Sequence, residues 1–203
     1  MGEGRKEEII MATLELASQR GMAGVSMNMI ADRLGIKKPS LYNHFASKEE
    51  LVREMYVFLR ERAKKDSRDY FTDYGTLFSG KTALEILKQV VGGYLRMTRQ
   101  KELLTFYKVL YSERCFQPLA AEILAEETEK MIRATKQLFY AMAVHGILRF
   151  SNADMSALSF ALTVHGIMDY EMDKSQVEPE NGIQEKNLDD YLDWFCRENA
   201  VKE

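Results

Sequence analysis

A chain of 203 residues with 46% hydrophobic and 29% charged side chains has ample material for a buried core and no compositional bias toward disorder. No apolar run approaches the roughly 20 residues that span a bilayer, and the charged opening M-G-E-G-R-K-E-E leads straight into an amphipathic pattern. A membrane partner and a signal peptide are therefore excluded from the expectation, which is a cytoplasmic protein; Cys115 and Cys196 fit no disulfide framework and no metal-ligand spacing, so free thiols, no metal and no cofactor are expected.

The first predicted helix covers Arg5 to about Gln19, with Ile9, Ile10, Thr13, Leu14, Leu16 and Ala17 on its inner face and Gly21-Met22 closing it. From Val25 to Leu51 the pattern is two short helices, a tight turn between them, and the start of a third. Ser26 is a good N-cap, Met27, Ile30, Ala31 and Leu34 give one apolar face, and Gly35 supplies a left-handed C-terminal residue. Pro39 opens the next helix, which turns Leu41 and Phe45 inward and leaves Lys37, Lys38, Ser40, Tyr42, Asn43 and His44 outward or at its edges. Ser47 with Glu50 three residues on forms a capping box, starting a fourth helix at Lys48 that runs to about Ser67. Two short helices joined by a glycine turn, the second polar and basic, describe a helix-turn-helix.

Residues 70–81 hold two glycines and no helical period and are expected to be a loop. Helical patterns follow from Thr82 onward through Gly92-Gly93, where a kink or a close helix contact is expected, then over Lys101 to about Arg114 and Pro118 to about Val144, with Gly146 as a stop. Asn152 or Asp154 caps a helix through Leu158, Leu162, His165 and Met168; Lys174 to Lys186 reads as a loop; Leu188 to Asn199 is the last helix. With no sustained period-two alternation, the fold class is all-α, about nine helices. The predicted division is a helix-turn-helix domain at 1–47 and a helical ligand-binding and dimerisation domain at 48–203.

The net charge of −3 conceals a split: residues 1–65 hold 12 basic against 9 acidic side chains, a balance of +3, and residues 66–203 hold 16 against 22, a balance of −6. The basic excess sits with the helix-turn-helix, and the acidic remainder would stay off a duplex.

The run L-G-I-K-K-P-S-L-Y-N-H-F-A-S-K-E-E-L (34–51) resembles the recognition segment of TetR-family transcriptional regulators, and G-I-L-R-F-S-N-A-D (146–154) resembles that family's link between its seventh and eighth helices. Met29 departs from the family pattern, since an acid or amide there would complete a capping box, and Lys37-Lys38 is more basic than usual. The resemblance implies a homodimer. Each subunit would pair a three-helix DNA-binding head with a body that takes a small-molecule effector, and the last two helices of each body would join in a four-helix bundle. Effector binding would spread the heads and release the operator.

The candidate DNA-binding residues are Ser26, Met27 (through its amide), Lys37, Lys38, Pro39, Ser40, Tyr42, Asn43, His44 and Lys48. Lysines entering a major groove can donate to guanine or phosphate, and Lys48 at a helix N-terminus adds charge to exposed amides. Tyr94, Met97, Phe106, Tyr107, Leu110, Tyr111, Met131, Phe139 and Met142 are the candidate effector lining, which as a set favours an apolar or aromatic molecule; Glu113 and Arg114 are the nearby charges, neither assigned inward. Leu158, Leu162, His165, Gly166, Tyr191, Leu192 and Phe195 are the candidate dimer interface, since a final helix exposing Phe195 with Trp194 would be a costly patch in a monomer. The expected function is repression of transcription from a pseudo-palindromic double-stranded operator. A helix-turn-helix protein controlled by a protein partner, or acting on nucleoid structure, is the alternative reading. An all-α enzyme is the remote one, because no catalytic triad, acid pair or phosphate loop is visible.

Overall fold

The computed structural model describes residues 2–67, 73–178, 180, 182 and 185–201. Among them are ten helices: α1 (Gly2–Arg20), α2 (Met27–Arg33), α3 (Lys38–Tyr42), α4 (Lys48–Ser67), α5 (Tyr74–Phe78), α6 (Ala83–Thr98), α7 (Lys101–Glu113), α8 (Pro118–Val144), α9 (Ala153–Val177) and α10 (Lys186–Glu198). The chain divides into two compact units, Met1–Tyr70 with Gly93–Glu126, and Phe71–Gly92 with Glu127–Glu203. The division passes through α6 between Gly92 and Gly93, where the helix nonetheless continues.

In the first unit, α1, α2, α3, α4 and α7 contribute to one apolar cluster. Ile9 of α1, Ile30 of α2, Leu41 of α3, Leu51 and Met55 of α4 and Phe106 of α7 all have 0% exposure. Each such side chain contributes about 1.5–3 kcal/mol by leaving water. Thr13 sits among them without cost because its hydroxyl donates to the Ile9 carbonyl at 2.7 Å. Tyr56 of α4 stacks on Phe106 of α7 at 6.4 Å between centroids.

The second unit is organised on aromatic rings. Phe139 of α8 lies 4.6 Å from Phe150, 5.2 Å from Phe160 of α9 and 5.3 Å from Phe195 of α10, centroid to centroid. The Arg149 amide donates to the Asn199 carbonyl at 2.8 Å, which closes the end of α10 onto the segment before α9. Burial, then the nearby Asp193, pushes the Cys196 thiol up to about 11.

Three expectations need correction. Within the predicted loop at 70–81, residues 74–78 form α5: Asp73 caps it by accepting from the Gly75 and Thr76 amides, and Leu77 and Phe78 bury themselves, which a five-residue helix needs more than periodicity. Residues 70–72 lie outside the described part. Helix α9 continues to Val177, four residues into the predicted 174–186 loop, because polar side chains there remain compatible with a helix exposed on one side. The last helix does not present Phe195 to solvent: Phe195 and Leu192 are 5% and 2% exposed inside their own unit, and Trp194, at 51%, is the exposed ring.

Phe139→Ala is expected to lower the unfolding free energy by about 3–5 kcal/mol, whereas Phe116→Ala, at a position 83% exposed, changes it by less than about 0.5 kcal/mol; urea unfolding followed by circular dichroism measures both. Iodoacetamide at mildly alkaline pH is expected to alkylate Cys115 in the folded protein and spare Cys196, as read by peptide mass spectrometry.

Candidate nucleic-acid interface

Helix α2 begins as its sequence dictates: Ser26, in extended backbone, accepts from the Met29 amide at 3.3 Å. No reciprocal side-chain arm exists, as Met29 at the third helical position implies. At the other end Gly35 takes φ +64°, and the Ile36 amide reaches back to the Ala31 carbonyl at 3.0 Å, so the chain turns sharply out of α2. Lys37 precedes α3 without a side-chain cap, and Pro39 stands in its first turn.

The short α3 is held by Leu41 inside it and Phe45 beyond it, both 0% exposed. That anchoring decides the rest by geometry: Lys37, Lys38, Pro39, Ser40, Tyr42 and Asn43 are exposed and His44 is half-buried. The Lys38 ammonium lies 5.8 Å from the centroid of the Tyr42 ring, one helical turn on, which keeps both side chains extended along the same exposed strip. Seven of the ten predicted DNA-contacting residues thus share α3 and its two flanks.

Ser26 is exposed at the start of α2, and the Met27 side chain is 7% exposed, leaving its backbone as the part available at the surface. Lys48 differs from expectation. Its Nζ donates to the Met22 carbonyl, tying the start of α4 to the turn between α1 and α2. The first turn of α4 is also occupied by anions. The Glu50 carboxylate accepts from the Ala46 amide at 2.6 Å while the Glu50 amide donates to Ser47 Oγ at 3.1 Å, a capping box whose return arm lands one residue early. A backbone hydrogen bond at Glu49 itself, then one from Ser47, hold the Glu49 carboxyl below the usual carboxylate range.

Several other basic residues of this unit are paired with carboxylates. Arg33 of α2 grips both oxygens of Glu15 in α1 at 2.8 Å, Arg62 meets Glu7 at 3.0 Å, and Arg53 meets Glu122 at 2.6 Å. Arg5 pairs with Glu8, and Lys6 sits 3.7 Å from Glu54 and over the Phe45 ring. These pairs are largely exposed, so each adds at most about 1 kcal/mol to stability. Lys37 and Lys38, like Arg20 at the end of α1, stand without a carboxylate partner among the described residues.

The predicted effector lining falls in both units. Met97, Phe106, Tyr107 and Leu110 belong to the apolar cluster of the first, with Tyr94 and Tyr111 packed against it. Met131, Phe139 and Met142 belong to the second, Phe139 and Met142 at 0% exposure. Glu113 is half-buried, and its Oε1 accepts from the Ala23 amide at 2.9 Å. A partner 90 positions along the chain left no local sequence signal.

On α9, Leu158 and His165 are half-buried and Gly166 is exposed, with nothing of this chain within 4 Å of a Cβ built there. Leu162, at 47%, lines up with Met155, Tyr170 and Val177 at 58%, 54% and 80%, at intervals of seven or eight residues. On α10, Tyr191 is half-buried, while Leu192 and Phe195 face inward. The exposed apolar stripe is therefore carried by α9. No helix among the described residues is long and apolar enough to cross a membrane, and no group of three or more His, Cys, Asp or Glu among them is placed to hold a metal ion.

Residues 9–55, the stretch built above, match the family model described as bacterial regulatory proteins, tetR family. An uncharacterized HTH-type transcriptional regulator of Bacillus subtilis, YerO, is 28% identical over 173 residues, covering 81% of this chain and 55% of that protein. The HTH-type transcriptional repressor KstR2 of Mycobacterium tuberculosis is 38% identical over 69 residues, 31% of this chain and 34% of its own length. The chain thus spans about half or less of these relatives. Among solved structures, the flavonoid-responsive regulator FrrA shares the fold with a TM-score of 0.73 at 23% identity, over 98% of this chain and 100% of that one. The match at 9–55 covers the buried frame of α1, α2, α3 and the start of α4 together with the exposed strip it presents, and it is in this head that the chain is similar to the tetR family of bacterial regulatory proteins.

Proposed function

We propose that this protein is a dimeric transcriptional repressor whose α3 strip reads a pseudo-palindromic operator and which a small, largely apolar or aromatic effector releases. The observation that carries the reading is the anchoring of α3 by Leu41 and Phe45, which turns Lys37, Lys38, Ser40, Tyr42 and Asn43 outward together. Lysine, serine, asparagine and tyrosine supply donors for phosphate oxygens and base edges, and the two lysines concentrate positive charge where a groove would be entered. Ser26, with the Met27 amide, adds a phosphate contact at the start of α2, and Lys48, already committed to Met22, contributes by stiffening the head.

A homodimer would place two such heads on successive major grooves about 34 Å apart. The exposed stripe Met155, Leu162, Tyr170 and Val177 on α9 supports that assembly, with Leu158, His165, Gly166 and Tyr191 beside it and Trp194 on α10. Glycine at 166 permits close approach of a partner helix. Leu192 and Phe195 support the interface from beneath. The effector reading rests on the aromatic and methionine content of α6, α7 and α8, which suits an adaptable apolar site.

Duplexes selected by the wild-type protein from a random pool are expected to bind at least tenfold more tightly than unselected ones. The double variant Lys38→Ala/Tyr42→Ala loses that preference in a fluorescence-anisotropy titration, and retained selectivity would move the reading surface elsewhere. Leu162→Glu is expected to convert the dimer to monomer in light scattering after size exclusion, while a variant that stays dimeric would remove α9 from the interface.

A further inference from the structure

The turn between α1 and α2 is tightly constrained. Gly21 takes φ +72°, and a Cβ built on Gly24 would lie 2.6 Å from the Arg20 carbonyl oxygen, so neither position accepts a side chain without strain. Met22 and Val25 anchor the turn in the apolar cluster at 6% and 2% exposure. Two polar contacts from elsewhere in the same unit finish it. The Lys48 ammonium donates to the Met22 carbonyl, and the Ala23 amide donates to Oε1 of Glu113 at 2.9 Å. Glu113 is the last residue of α7, and its own carbonyl accepts from the Phe116 and Gln117 amides at 2.8 and 2.9 Å, so one residue closes both the α7–α8 turn and the α1–α2 turn.

We propose that Glu113 is a positioning residue for DNA binding: its carboxylate couples α7 to the α1–α2 turn and thereby sets the stance of α2 and α3. The inference rests on the DNA-binding reading above. Ala23 lies three residues before Ser26, the cap of α2, and the chain between them has no slack, since Val25 is buried and its amide donates to the Met22 carbonyl at 3.2 Å. A displacement of the end of α7 is therefore delivered to the start of α2 through one charge-assisted hydrogen bond, without passing along α4. Lys48 holds the other side of the same turn, so loss of Glu113 tilts the turn rather than freeing it.

The test uses the 203-residue chain and the duplex selected from a random pool, with an unselected duplex of equal length beside it. Glu113→Ala is expected to weaken binding to the selected duplex by about tenfold, the scale of one hydrogen bond to a charged group, to leave binding to the unselected duplex unchanged, and to lower the melting temperature by only a few degrees. Glu113→Gln, whose amide oxygen can still accept from Ala23, retains selective binding. Glu113→Asp, too short to reach, behaves as the alanine variant. Hydrogen exchange without DNA is expected to quicken at Ala23 and along α2 in the alanine variant while α1 is unaffected. Wild-type selectivity in Glu113→Ala, equal losses on both duplexes, or failure of glutamine to rescue would each overturn the inference alone; a wild-type protein that selects no duplex would overturn the DNA-binding reading and this inference with it.

Discussion

The buried face of α4 is the constraint on which the first unit depends. Leu51 and Met55 are shut off from water, and Tyr56 and Leu59 nearly so, and these side chains meet the head on one side and α7 on another. The helix starts at a capped Ser47, two residues after Phe45, so the register that buries Phe45 also decides which face of α4 turns inward. Head and α7 consequently share one cluster of apolar side chains, and neither can be repacked without the other. Close-packed cores transmit such coupling because they do not deform continuously.

Charge in the head is arranged by subtraction. The balance over residues 1–65 is only +3, too small to mark a nucleic-acid surface by itself. Pairing changes its meaning: Arg33, Arg53 and Arg62 each face a glutamate, and Lys48 is turned to a backbone carbonyl. The acidic side chains offset part of the positive charge on the flanks, while Lys37 and Lys38 beside and within α3 stay unpaired. The helix N-terminus of α4, already satisfied by Glu49 and Glu50, adds little attraction for an external anion.

The head was legible in the sequence because its signals are local. Ser26, Gly35, Pro39 and Ser47 each act within a few residues, and caps, left-handed turns and first-turn prolines keep their meaning wherever the helix is later packed. Helix α5 escaped notice because two buried side chains and an aspartate cap hold it, with too few residues to show a period. Helix α9 outran its expected end because polar residues do not stop a helix; they only stop it from being buried. The direction of Lys48, the reach of Glu113 to Ala23 and the inward turn of Phe195 all depend on residues distant in sequence. Periodicity found that α10 is amphipathic but had no means of saying that its apolar face is covered from within the subunit.

The brevity of α3 has a consequence for how such a protein diverges. Five residues are too few to sustain a helix in water, so α3 exists because Leu41 and Phe45 pin it and the turns at Gly35 and Pro39 set its course. Its exposed positions contribute little to stability, and replacing them leaves the folding free energy nearly untouched. Lineages descending from this chain can therefore drift toward new target sequences without first acquiring a reserve of stability. Altered specificity and a sound fold are separately heritable in this head, because different side chains of the same short helix carry them.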